Sequence, residues 1–398
     1  MKHLLLAATV LSLPLNLFSQ ETPPFQDKLK VSGYIQMQYQ HGEKDAMLKV
    51  GSGNEHADEA FGRLGVRRGR LKFVYEQHIA SAVFQLDITE KGVGFRDAYL
   101  NLKDPWLKSS VLRAGVFDRP FGNEISYSSS RRESPERSTI TQTLFPNERD
   151  LGIMLHLQAD KKSPWSFLVL QAGLFSGNAI NRDTDSRKDF IGRLFGTKKL
   201  DHIELGGGLS YYNGGVYQGT EKVYFMEGKN FVLDDNPDNK GKFAKREYVG
   251  ADAQFSISTA IGKTALRAEY LFGQQPGLQE SSASPNSSTL PAGDTYLRNF
   301  KGGYVILAQK IGVSPFSAVV KYDIVDPNTE VSGNEAGGNG TSKTDLKQTT
   351  LGFGGLWDAN ANLRLTAFYE INNYEKNNLP AANDLKRNVF TLRLQYKF

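Results

Sequence analysis

From Val389 to Phe398 the side chains alternate without a slip. Phe390, Leu392, Leu394, Tyr396 and Phe398 fall on one parity, and Thr391, Arg393, Gln395 and Lys397 on the other. Successive side chains of an extended chain point to opposite faces, so the segment reads as a strand with one greasy and one polar side. The pattern recurs along the chain. Val31, Gly33, Ile35, Met37 and Tyr39 are set against Lys30, Ser32, Tyr34, Gln36 and Gln38, and Leu363, Leu365, Ala367, Tyr369 and Ile371 against Arg364, Thr366, Phe368 and Glu370. A half-buried strand of a soluble sandwich would alternate in the same way, so one instance decides little. What weighs more is repetition, with large charged residues recurring opposite the grease.

The connections separate the two cases. Short, turn-like links such as 103–106, 160–164, 262–263 and 358–362 take turns with long polar ones at 41–61, 118–150, 176–189, 213–247, 273–299, 326–346 and 373–387. That order is the layout of a transmembrane barrel with tight periplasmic turns and long external loops. The expected fold is therefore all-β: an antiparallel up-and-down barrel of about sixteen strands, an even number that leaves both ends periplasmic. The strands centre near residues 35, 70, 84, 99, 113, 155, 170, 194, 209, 253, 268, 305, 321, 352, 367 and 393. In such a barrel lipid wets the apolar side and water the charged side, and a barrel this wide encloses an aqueous channel.

Composition narrows the class further. A chain of 398 residues that is 39% hydrophobic and 23% charged is too polar for a bundle of membrane helices. Only the segment from Leu4 to Phe18, behind Lys2 and His3, is continuously apolar; it contains Pro14 and Asn16 and falls short of a span. It reads as a signal peptide, residues 1–20, cleaved to leave a single barrel domain over 21–398. No cysteine is present, which excludes disulfides, thiolate nucleophiles and cysteine-bound metal. The net charge of +5 is mild and lacks a concentrated basic block, so nucleic acid is not an expected partner.

The polar faces carry the functional reading. Arg68, Arg70 and Lys72 lie opposite Gly69, Leu71, Phe73 and Tyr75, and placing Arg or Lys toward mid-bilayer lipid costs ~2–4 kcal/mol each, so the three cations face water. Arg113, Arg193, Arg364 and Arg393 join them as candidate lining of an anion path. Wall-bracing ion pairs with Glu76, Asp87 and Asp97 are the equally weighted alternative for the first three. Inward cations modestly exceed inward acids on this register, which favours mild anion preference over tight binding. The 118–150 connection is the candidate constriction. It carries Arg119, Arg131, Arg132, Arg137 and Arg149 against Asp118, Glu124, Glu133, Glu136, Glu148 and Asp150, so a transverse field and a basic ring both fit, as does an ordinary external loop. No metal, cofactor or catalytic set is expected: the acidic runs at 183–185 and 234–238 lack the glycine and acid of a calcium loop, and His156 has no evident catalytic partner.

From Gly62 to about Gly196 the chain resembles the phosphate-selective porin O/P family of bacterial outer-membrane channels. The resemblance rests on Arg67-Arg68-Gly69-Arg70-Leu71-Lys72-Phe73, Asp97-Ala98-Tyr99-Leu100, Leu112 through Gly122, Glu148-Arg149-Asp150-Leu151-Gly152, Gly173 through Gly177 and Phe190 through Leu194. Further on it is carried by Lys321 through Asn328 and Phe398. It implies a sixteen-stranded anion channel, a homotrimer, narrowed by the loop after the fifth strand. The sequence reading is thus a passive porin in the outer membrane of a Gram-negative bacterium, not an enzyme. Its partners would be small anionic or polar solutes, with phosphate or similar oxyanions among them, and outer-membrane lipid and lipopolysaccharide. A barrel-based hydrolase, or a loop-plugged adhesive barrel using 213–247 and 273–299, are the competing readings.

Overall fold

The computed structural model describes residues 28–106 and 109–398, so residues 1–20 and their signal-peptide reading lie outside the described residues. Eighteen strands run in chain order: β1 (Leu29–Gly42), β2 (Phe61–Gln77), β3 (Ala80–Thr89), β4 (Gly92–Lys103), β5 (Val111–Asp118), β6 (Arg149–Gln158), β7 (Leu168–Phe175), β8 (Asp189–Leu200) and β9 (Ile203–Tyr217), then β10 (Lys222–Glu227), β11 (Asn230–Asp235), β12 (Phe243–Thr259), β13 (Gly262–Gly277), β14 (Thr295–Lys310), β15 (Phe316–Asp326), β16 (Gln348–Asp358), β17 (Leu363–Tyr374) and β18 (Val389–Lys397). Sixteen form a closed antiparallel barrel: β9 pairs with β12, and β1 closes on β18 from Tyr34↔Lys397 to Gly42↔Val389. Each expected strand centre lies in one of these sixteen. The remaining two, β10 and β11, form a hairpin within the 213–247 connection, held to β14 by a short parallel pairing and by Tyr224 stacked on Tyr296 at 4.3 Å.

Closure leaves no sheet edge in the wall, which is what allows backbone polar groups to sit in hydrocarbon. The outward parity is apolar on every side of the cylinder: Leu151, Ile153, Leu155 and Leu157 on β6, Val305 and Leu307 on β14, and Phe390, Leu392, Leu394 and Tyr396 on β18 are all exposed. Gln36, Gln38 and Gln40, on the inward parity of β1, are buried and bonded across the seam to Gln395, Arg393 and Thr391. Seven outer connections are long. The eighth, between β3 and β4, is only Glu90 and Lys91, so the alternation of long and short links has one exception.

Two irregularities matter for the interior. The β1–β2 register jumps between Gln36↔Arg68 and Met37↔Val66, and the β3–β4 register between Gln85↔Asp97 and Leu86↔Phe95. Each jump is a bulge that leaves one residue without a cross-strand partner, Arg67 in the first case and Arg96 in the second.

Candidate functional site

The connection between β5 and β6 does not lie over the barrel; it folds into it. At its start Gly122 adopts a positive φ of 60°, and a Cβ there would collide with the Glu269 carboxylate. The close approach lets Ser210 Oγ accept from Gly122 N at 2.9 Å, and lets Glu269 Oε2 accept from the backbone N–H of Asn123 and Glu124 at 3.0 Å each. The loop is thereby fixed to β9 and β13. It ends through a one-and-a-half-turn helix, α1 (Thr139–Leu144).

An apolar core inside the lumen holds this half of the loop. Phe121, Ile125, Ile140, Leu144 and Phe145 pack against Phe117, Phe175, Tyr212, Tyr248, Leu271, Phe300 and Val325 of the wall, all buried. Rings meet at 5.0 Å (Phe121–Phe145), 4.9 Å (Tyr212–Tyr248) and 5.7 Å (Phe145–Tyr248). Burial of each large apolar side chain contributes roughly 1.5–3 kcal/mol. The lumen is therefore filled and dry on this flank at the level of the core, while on the turn side of it a polar cavity of about 480 Å³ remains, lined by Tyr127, Arg131, Glu133, Gln254, Arg267 and Arg364 among others.

The loop tip is held on the opposite flank by charge. Glu136 accepts from Arg67 through both oxygens at 2.8 Å, from Arg68 at 2.8 Å and from Arg393 at 2.9 Å. Arg393 also donates to Pro135 O at 2.8 Å, and Gln36 and Gln395 donate to the carbonyls of Ser129 and Ser130 at 3.1 and 3.0 Å. Burial opposes ionisation of Glu136, but Arg67, Arg68 and Arg393 outweigh it and hold the carboxyl well below the usual range. Glu148, at the loop's return, is likewise buried and likewise held low by Arg137, Arg96 and Arg149.

The expected site residues divide into three groups. Arg68, Arg70, Arg113, Arg193, Arg364, Arg393, Arg119, Arg137 and Arg149 have acid neighbours. Arg70 pairs with Asp87 at 3.0 Å, Arg193 with Asp252 at 3.0 Å, Arg364 with Asp358 at 2.6 Å, Arg119 with Asp150 at 3.1 Å and Arg149 with Asp97 at 2.8 Å. Arg113 lies over the Tyr99 ring at 4.5 Å, with Asp118 at 3.8 Å. Lys72 and Arg131 are different: no carboxylate stands within ion-pairing distance of either among the described residues, and both line a cavity of about 390 Å³ on the turn side of the loop, which Lys397 also lines. Arg132 is alone in being 6% exposed with none of its three guanidinium nitrogens hydrogen-bonded among the described residues; burial, with Arg137 and Arg68 close by, lowers its affinity for its proton.

A further cavity, about 310 Å³, opens on the long-loop side and is lined by Gln40, Lys49, Glu136, Arg137, Asp323 and Glu370 among others. Arg137 borders this cavity and the turn-side one of about 390 Å³, so the partition between them runs through the loop at that residue.

Alternation alone misses Arg67 and Arg96, because both sit on the parity that faces lipid. The bulges turn them inward, Arg67 to Glu136 and Arg96 to Glu148. The signal was present: an arginine on the lipid parity beside a charged residue on the water parity, as in Arg67-Arg68 and Arg96-Asp97, is affordable only if the strand slips by one.

A closed sixteen-stranded barrel with an apolar exterior, a charged interior and one infolded loop has the fold of outer-membrane porins. The chain is similar to OprB of Pseudomonas putida (10% identity over 94% of this chain and 95% of that one, TM-score 0.59) and to Salmonella typhi OmpF (12%, 94% and 99%, TM-score 0.57). It is also similar to the outer membrane channel DcaP of Acinetobacter baumannii (11%, 93% and 97%, TM-score 0.54). No family model matches the chain, and no curated protein does.

Proposed function

We propose that the protein is a passive outer-membrane porin that admits small hydrophilic solutes and prefers anions, a channel rather than an enzyme. The observation that carries the anion preference is the state of pairing. Most lumenal cations spend their charge on a neighbouring carboxylate, whereas Lys72, Arg131 and Lys397 in the turn-side cavity and Arg132 within the loop do not. Glu370 is the acid lining the outer cavity without a hydrogen bond or ion pair among the described residues, and Lys49 lines the same cavity. Arg387 lines the outer cavity too, and neither it nor Lys49 has an ion pair among the described residues, so uncompensated cations stand on both sides of the partition and concentrate anions in the lumen. Phosphate and related oxyanions suit guanidinium forks, consistent with the resemblance to phosphate-selective porins. A homotrimer, in contact with outer-membrane lipid and lipopolysaccharide, completes the reading.

Reversal potentials across planar bilayers in a salt gradient test it. The wild type should favour chloride over potassium. Replacing Lys72, Arg131 and Lys397 together by Ala should bring the permeability ratio about twofold or more closer to unity, and an unchanged ratio sinks the assignment of selectivity to these cations. The infolded loop and its core favour a second reading, a barrel plugged by that loop, which predicts inserted protein with no measurable conductance.

A further inference from the structure

The hairpin β10–β11 stands in the long connection between β9 and β12, outside the wall, and the channel reading gives it no task. Its turn is only Gly228 and Lys229, closed by Glu227 opposite Asn230, with Gly228 at a positive φ of 60°. In a two-residue hairpin the closing pair exchanges its backbone hydrogen bonds, and every second pair after it does the same. Phe225↔Val232 and Val223↔Asp234 are therefore bonded within the hairpin, while the backbone groups of Phe231, Leu233 and Asp235 point away from β10. The Phe231 N–H bears this out by donating to Asn339 O at 3.1 Å.

Beyond Asn339 the edge is open. Among the described residues no backbone group bonds to the outward N–H or C=O of Leu233 or Asp235, and Leu233, Asp234 and Asp235 are all exposed, Leu233 by 42%. The other edge of the hairpin is taken, since β10 pairs with β14 through Val223↔Thr295 and Tyr224↔Tyr296. β11 contains no lysine, no proline and no register shift, which are devices that blunt an exposed edge.

A free strand edge is a template for an extended chain, which supplies main-chain hydrogen bonds to it. Charge selects the chain. Over residues 221–238 five acids meet two bases, and one of those bases, Lys229, is committed to Glu335. Asp234, Asp235 and Asp238 lie on or next to the open edge, are exposed, and have no ion pair among the described residues; Lys222, across the hairpin from Asp235, is the one base beside them on the paired strands. A second copy of β11 would bring the same acids to the edge, whereas a strand carrying lysine or arginine would neutralise them.

We infer that the outer edge of β11 docks an extended cationic polypeptide, which adds to the hairpin as a third strand and sets its basic side chains against Asp234, Asp235 and Asp238. The inference needs the hairpin to stand on the long-loop side of the barrel and is independent of the channel's ion preference.

The test uses the refolded full-length protein in neutral detergent at low ionic strength and a dye-labelled short peptide of alternating lysine and valine, read by fluorescence anisotropy. Two further peptides separate charge from strand pairing: one has glutamate in place of lysine, and one is N-methylated at each backbone amide, which keeps the charge but removes the main-chain donors. Saturable binding is expected for the first peptide, and at least about tenfold weaker binding for the other two. In the protein, L233P removes an edge N–H that no native bond uses, and D234N/D235N/D238N removes the charge. Each should weaken binding of the first peptide about tenfold, an exposed ion pair being worth about two- to threefold in affinity. Single-channel conductance of both variants should match that of the wild type, which separates loss of the edge from loss of the fold; the three peptides on the wild type decide by themselves should a variant misfold. Equal binding of the glutamate or N-methylated peptide, or unchanged affinity of either variant, overturns the assignment. So do wild-type dimers in native mass spectrometry that L233P abolishes, because the occupant of the edge would then be a second copy of the chain.

Discussion

A chain lacking residues 123–146, rejoined by a short glycine linker, is expected to pass current severalfold more freely per channel than the intact protein and to lose most of its ion discrimination. The wall itself is a sixteen-stranded closed sheet whose register does not depend on the loop, and a cylinder of that strand number is wide enough for an aqueous bore. What narrows it is the loop, which leaves β5, crosses from β9 and β13 to β1, β2 and β18, and returns through α1. Four of its five core side chains, Ile125, Ile140, Leu144 and Phe145, would be gone, leaving Tyr212, Tyr248 and Phe300 largely to face water. That exposes apolar area and should lower the unfolding midpoint without abolishing the barrel, because β8, β9, β12 and β13 remain paired along their length. Single-channel recording of the two proteins side by side is decisive: equal conductance would mean that the loop does not control the bore.

Glu136→Gln is expected to have the next largest effect. Three guanidinium groups, from Arg67, Arg68 and Arg393, converge on this one buried carboxylate. Breaking a buried pair by removing one partner costs about 3–5 kcal/mol, because the remaining charge stays desolvated and unmatched. Two outcomes follow together: the loop tip loosens, seen as open-channel noise, and the anion-to-cation permeability ratio rises, since three positive charges lose their shared counter-ion. The pH dependence runs in a defined direction. A carboxyl held below its free value contributes stability above that free value, 4.5 here, and forfeits it only as pH falls through the lower folded value. Wild-type open-channel noise should therefore be constant from pH 7 to 4.5 and should approach that of Glu136→Gln only in much stronger acid. Noise that grows as pH falls from 7 to 5 would refute the anchor.

The barrel was legible because its constraint is repetitive. Water on one side and hydrocarbon on the other impose a period of two on each strand, and a segment such as Phe390 to Phe398 announces its parity without help from the rest of the fold. The hairpin β10–β11 escaped that reading: Val223 to Met226 are four apolar residues in succession, so Lys222–Glu227 shows no alternation of greasy and polar faces. The infolded loop has no period at all. Its arginines and acids were visible as a list of charges, but which wall residue each would meet depends on a path across the lumen. Lys72 and Arg68 look alike in sequence, two residues of one parity on β2. Only the position of Glu136 makes one an anchor and leaves the other facing solvent. The acids that neutralise the wall come largely from the loop and from adjoining strands, and pairing of that kind is a property of register rather than of composition.

The three arginines that receive Glu136 come from opposite ends of the chain, two from β2 and one from β18, and they become neighbours only once β1 has zipped to β18. The binding cup for the loop tip thus does not exist in an unclosed sheet. During assembly the loop must wait, and its insertion acts as a late check that the first and last strands have met in the correct alignment.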